Sequence, residues 1–149
     1  MAGLSADYIN PFIIASTKLL KDLCFMEVQM GKPYVKTEDF NNQSLVIMIE
    51  VTGAMKGQVM IDFEKDIACQ VASKMTMMPI NQLDDLSTSA VCELVNMILG
   101  NAATIFSTKG IGIDITPPSM LSGNFPCKSN ICIPLLYENS KIEINIAVA

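Results

Sequence analysis

Glu93 and Asn96 stand three residues apart in the stretch SAVCELVNMILGN, residues 89–101, with Ser89 before them and Gly100 after. A carboxylate can pair with a lysine of a partner. A side-chain amide donates one hydrogen bond and accepts another, so it can fix the direction of a water molecule without acting as a base. Groups of this kind suit phosphoryl hydrolysis, where placing an in-line water is most of the task. The intervening Ala, Val, Leu, Met and Ile are good helix material, whereas Gly costs a helix interior roughly 1 kcal/mol against Ala. At ~100° per residue, Ser89, Glu93, Asn96, Gly100, Thr104 and Ser107 fall within about a third of the helix circumference. Val91, Leu94, Val95, Ile98, Ala102, Ile105 and Phe106 take the other side. Polar residues on an outer helix face are most often simply solvated. Two features weigh against that here. The face carries one charge where a solvated helix pairs Lys with Glu, and Gly100 makes sense where another group must approach closely.

The rest of the chain must position that face. DYINPFIIASTKLLKDLC reads as a helix from about Asp7 to Cys24, with Asn10 as its cap and Pro11 in its first turn. GKPYVKTEDF reads as a short strand or an extended lead-in. QSLVIMIEV and KGQVMIDFE are β-rich runs around a Gly-containing turn and predict a hairpin. KDIACQVASKMTM predicts an amphipathic helix stopped by Pro79. A polar loop with Asp and Ser caps then leads into the helix of interest, from about Ser87 to Lys109 and ended by Gly110. ITPPSMLSGNFPCKSN is broken by Pro and Gly. Two more strands, NICIPLLYE and KIEINIAVA, close the chain around a tight turn at Asn139-Ser140. Strands arriving in runs predict a single α+β domain over residues 1–149, an antiparallel sheet with long helices packed on one face.

Composition narrows the function. The net charge is −5, there is no Arg, and the ten Lys are scattered, which excludes the clustered basic surface that nucleic acid requires. There is no His, so imidazole catalysis and His metal ligands are absent, and no Cys or carboxylate cluster suggests a metal site. No apolar run approaches the ~20 residues that span a bilayer, and the first residues lack a secretory pattern. With five Cys and no C-x-x-C pair, the expectation is a cytoplasmic protein with reduced thiols serving as buried apolar groups. Core filling is likewise the expected use of Met75, Met77 and Met78. Half the residues are apolar, enough to furnish a docking or oligomer surface.

Ser89-x-x-x-Glu93-x-x-Asn96 resembles the signature of the CheC/CheX/FliY phosphatases of bacterial chemotaxis, which adds a Pro some twenty residues later. Here DITPPSMLSG supplies Pro117 and Pro118 at that place. This run, NQLDDLSTSAVCELVNMILGN and YINPF look most similar to the CheX branch. The resemblance implies an enzyme that removes phosphate from the aspartyl-phosphate of the response regulator CheY. Asn96 would orient the attacking water and Glu93 would pair with the regulator's active-site Lys. Mg²⁺ would sit on the regulator, with no cofactor in this chain. Ser89 is expected to support or cap, Gly100 to let the partner lie close, and Pro117 and Pro118 to shape the chain. A second family site, on the first helix, is not expected, because Asn10 precedes Pro11 and reads as a cap. The family implies a homodimer paired through sheet edges. The alternative is a non-catalytic module of the same fold that docks on a regulator or flagellar switch component. Such modules lack the Glu/Asn pair. A regulator binder that kept the helix and lost turnover is a third reading.

Overall fold

A computed structural model describes residues 6–37, 44–121 and 130–148. Cys127 and the segments 38–43 and 122–129, parts of the predicted lead-in and of the Pro/Gly-broken stretch, lie outside them. The elements are α1 (Ala6–Cys24), β1 (Gln29–Met30), β2 (Tyr34–Lys36), β3 (Ser44–Gly53), β4 (Gly57–Glu64), α2 (Lys65–Thr76), α3 (Asp85–Thr108), β5 (Ile113–Ile115), β6 (Ser119–Leu121), β7 (Asn130–Tyr137) and β8 (Ser140–Val148). The strands form one antiparallel sheet in the order β1-β7-β8-β4-β3-β5, with β2 beside β1 on β7 and β6 beside β5 on β3. The predicted α+β class, with helices on one sheet face, is what this topology gives.

Alternation along the strands decides which face the helices cover. Leu45, Ile47, Ile49 and Val51 of β3, Val59, Ile61 and Phe63 of β4, and Ile142, Ile144 and Ile146 of β8 all point into one core. Against them α3 sets Val91, Leu94, Val95, Ile98, Leu99, Ala102 and Phe106, flanked by α1 and α2. Phe12 of α1 meets Phe106 edge to face at 5.3 Å. Each large side chain buried this way stabilises by about 1.5–3 kcal/mol, so one interior glycine does not threaten α3. The same packing explains its hydropathy. Over an 18-residue window α3 averages 1.4, long and apolar enough by composition to cross a bilayer. The expectation that nothing in the chain approaches that threshold was too strict, because the core-facing side alone raises the average.

Helix ends depart from the reading in instructive ways. α3 starts at Asp85, capped by Asp84. Its carboxylate accepts the Ser87 N–H at 2.9 Å, while the Ser87 hydroxyl accepts the Asp84 N–H at 2.7 Å. The Ser87 N–H and hydroxyl hold the Asp84 carboxyl below the usual carboxylate range. α1 starts at Ala6, so Asn10 is not a cap. Asn10 is helical and exposed, and Pro11 is inside the helix with its ring buried. Pro11 forgoes only the bond to the Asp7 carbonyl near the helix start, and burial of Pro11 and Phe12 offsets that loss. α2 is capped just past Thr76 by Met77, which adopts a left-handed φ of 58° and is 91% exposed. Met78 is exposed too, so only Met75 of this trio packs against the core.

Three strands were not expected, the two-residue β1 among them. The Pro-containing stretch forms β5 and β6, both laid along the outer edge of β3. Gly53 (φ 97°) permits this, since a Cβ there would lie 2.7 Å from the Gly112 carbonyl oxygen. The closing turn is also one residue earlier than read, Glu138-Asn139, because Tyr137 pairs with Ser140.

The far face of the sheet buries a polar network. Glu143 accepts hydrogen bonds from Tyr34, from Lys36 at 3.2 Å and from the Cys132 thiol at 3.2 Å, and Lys36 also reaches Asp62 at 3.9 Å. Burial works to raise the Glu143 carboxyl. The hydrogen bonds from Tyr34, Cys132 and Lys36, with the Lys36 charge, outweigh it and hold that carboxyl below the usual range. Burial dominates for the others. It raises Asp62 and pushes the Cys132 thiol up to about 12. On the helical side, burial pushes the Cys24 thiol up to about 11.

Candidate active site

The outer side of α3 is as the periodicity required: Ser89, Glu93, Asn96, Gly100, Thr104 and Ser107 are all exposed. Residues at i, i+4 and i+7 share a face, so Ser89, Glu93 and Asn96 rise in a row. At 1.5 Å per residue, Glu93 and Asn96 are ~4.5 Å apart along the axis. Neither side chain has a hydrogen-bond or ion-pair partner among the described residues. They are held only by the backbone of a helix whose opposite side is fixed in the core.

A groove of about 730 Å³ runs beside this row. Asp85, Thr88, Ser89, Cys92, Glu93 and Asn96 form its α3 wall, and Ile115, Thr116, Pro117, Pro118 and Met120 form the other. The second wall exists because of the two prolines. The Thr116 N–H donates to the Glu50 carbonyl at 3.0 Å, and the Thr116 hydroxyl accepts the Glu50 N–H at 2.9 Å. Pro117 and Pro118 cannot donate, so pairing with β3 is interrupted until Ser119 meets Met48. The chain bows away from β3 there and presents both rings to the groove.

Ser89, Glu93, Asn96, Pro117 and Pro118 are thus brought together. Ser89 has no capping role, since Asp84 and Ser87 cap the helix a turn earlier. Gly100 shares the exposed face but stands beyond the groove, and a Cβ added to it would meet nothing within 4 Å. Asp85, Thr88, Cys92, Ile115, Thr116 and Met120 were not singled out from sequence. The helix wheel could have found Asp85, Thr88 and Cys92, which lie one to three turns before Asn96 on the same or neighbouring rows. Ile115 and Met120 depend on strand pairing that the prolines disguise. Among the described residues no group of His, Cys, Asp or Glu could hold a metal ion.

Residues 45–145 match the family model for the chemotaxis phosphatase CheX. The chain belongs to the CheX family of chemotaxis phosphatases. It is 35% identical over 121 residues to the CheY-P phosphatase CheX of Thermotoga maritima, covering 80% of this chain and 78% of that protein. Among solved structures it is similar to a CheC-like superfamily protein from Shewanella sp. PV-4 (28% identity, 98% and 99% of the two chains, TM-score 0.87). It is also similar to a chain of the CheX–CheY–BeF₃–Mg²⁺ complex of Borrelia burgdorferi (30% identity, 95% and 97%, TM-score 0.76). A CheX-family phosphatase is a hydrolase, which accords with a site made of a carboxylate and an amide and no His.

Proposed function

We propose that this CheX-family chain hydrolyses the aspartyl-phosphate of a CheY-type response regulator in chemotaxis signalling. The observation that carries the reading is the placement of Glu93 and Asn96: one turn apart, exposed, without partners among the described residues, and on one wall of one groove. The Asn96 amide accepts from and donates to an attacking water, aligning it with the phosphorus. The new O–P bond forms as the P–O bond to the regulator's aspartate breaks, the carboxylate leaves, and the water's proton passes to the phosphate. Glu93 pairs with the regulator's active-site Lys and fixes the register of the two proteins. Mg²⁺ belongs to the regulator, where it neutralises charge on the phosphoryl oxygens. Gly100 keeps the helix surface low where the partner lies over it. The chain acts in the cytoplasm as a homodimer joined through a sheet edge, for which the exposed Met30, Tyr34 and Val35 of β1 and β2 offer apolar surface.

The test is dephosphorylation of a panel of phosphorylated regulator domains, with Glu93→Gln alongside the wild type. Gln keeps the shape of Glu and removes its charge, so both complex formation and turnover should fall. Normal binding and turnover by Glu93→Gln would remove the ion pair from the account. A wild-type chain that binds regulators and hydrolyses none would leave the non-catalytic module as the function.

A further inference from the structure

The second wall of the groove has a character that hydrolysis does not explain. β6 alternates: Leu121 pairs with Val46 and packs on the far face of the sheet, while Met120 pairs with Ile47 and faces the helical side. Ile47 is covered completely by the helical layer, yet Met120, one strand further out, is 51% exposed. Ile115 pairs with Val51 and also faces the helical side, half-buried. The sheet therefore extends past α3 and leaves the helical side of its edge strands partly uncovered, most of all at Met120. Ile115, Pro118 and Met120 line a strip of apolar surface there, on the same groove as Glu93 and Asn96. The groove also has a sign. Among the described residues Asp85 and Glu93 line it and no Lys does. The Asp85 side chain has no partner among the described residues, and it lies ~12 Å from Glu93 along the helix at 1.5 Å per residue.

We propose that Met120, with Ile115 and Pro118, seats an apolar side chain of the phosphorylated regulator next to the Lys that Glu93 receives, and that Asp85 meets a second basic residue of the same surface. These contacts determine which regulators are accepted. The inference rests on the phosphatase reading above, because the occupant is fixed by continuity with Glu93 and Asn96 and by the groove's negative charge. It extends that reading by splitting the labour. Asn96 acts on the reacting centre. Met120 and Asp85 touch only non-reacting parts of the partner, binding ground and transition states alike, so their loss raises KM and leaves kcat in place.

Met120→Lys removes the apolar contact and puts a positive charge against a basic partner. It should raise KM for phosphorylated regulator about tenfold, the scale of one apolar contact in a pocket, with kcat within about twofold. Met120→Leu should restore wild-type KM. Asp85→Asn should raise KM a few-fold and flatten its dependence on salt, as expected for a charge at the rim of an interface. Titration with regulator carrying beryllofluoride in place of phosphate reads binding without turnover, and Kd should move in parallel with KM. Unchanged KM and Kd in Met120→Lys would overturn the proposal while leaving the phosphatase assignment standing. A loss of kcat at constant KM would overturn it too, by placing Met120 in the water-positioning machinery. A wild-type chain without turnover would count against the phosphatase reading alone, since the titration would still decide whether Met120 seats the partner.

Discussion

Polar side chains gather on both sides of the sheet, and the two gatherings are built on opposite terms. Around Glu143, the three strands β2, β7 and β8 bring a phenol, an ammonium, a thiol and a carboxylate together in a largely buried place. Each finds partners inside the chain, and the cost of desolvation is met by hydrogen bonds and opposite charge. On α3, Glu93 and Asn96 come from a single turn of one helix, face outward and find no partner among the described residues. The first arrangement consumes its bonding capacity in folding. The second withholds it for a partner. A polar group's role can be read from where its hydrogen bonds go: inward satisfaction marks structure, and outward vacancy on a nearly uncharged face marks recognition.

The contrast can be broken from either side. The largest effect is expected at the buried network. Glu143→Ala leaves Lys36 without its nearest carboxylate in a buried setting and should cost about 3 kcal/mol of stability, the scale for stripping one partner from a buried pair. Chemical denaturation measures that loss, and the activity of the folded fraction should stay unchanged because α3 lies across the sheet. A Glu143→Ala chain of normal stability and reduced activity would reverse the roles of the two regions. At Gly100 the expectation inverts. Gly100→Leu should fold normally yet lose up to ~100-fold in turnover, through displacement of the partner by about an ångström. Gly100→Ala should be active and gain up to roughly 1 kcal/mol of stability. A Leu variant that melts early while its folded fraction stays fully active would mean that this helix face is not the docking face.

A smaller effect comes from pH. The ordinary thiol value is 9.0, whereas burial holds Cys24 at about 11 and Cys132 at about 12. Groups raised on folding contribute stability that is complete below the unfolded value and lost as pH rises through the folded one. Thermal stability should therefore decline from pH 9 towards 11, and Cys132→Ala should lessen the slope. A flat profile over that window would mean that these thiols are not buried as described.

How much of this was legible beforehand follows from what each feature depends on. The α3 face depends on a 3.6-residue period within one segment, and its outward side came out residue for residue. Three of the five cysteines are buried as expected, Cys92 is half-buried in the groove, and Cys127 lies outside the described residues. The range of α1 was read to within a residue, but Asn10 was misread as its cap because Pro11, taken for a first-turn residue, sits inside the helix. β5 and β6 were missed because Pro117 and Pro118 suggested a loop, and the hydroxyl of Thr116 bridging to Glu50 has no local signature. The Glu143 network joins β2, β7 and β8 through the Tyr34–Cys132 and Cys132–Asn145 registers, so no window of sequence contains it.

The central claim is that Asn96 directs water while the rest of the face holds the partner. Turnover of a phosphorylated regulator by Asn96→Ala, measured together with its affinity for the beryllofluoride-loaded regulator, tests it most directly. Turnover should fall roughly 10²–10³-fold, the scale for removing one preorganised polar group from an active site, with affinity and melting temperature close to wild type. Turnover at the wild-type rate by Asn96→Ala would contradict it.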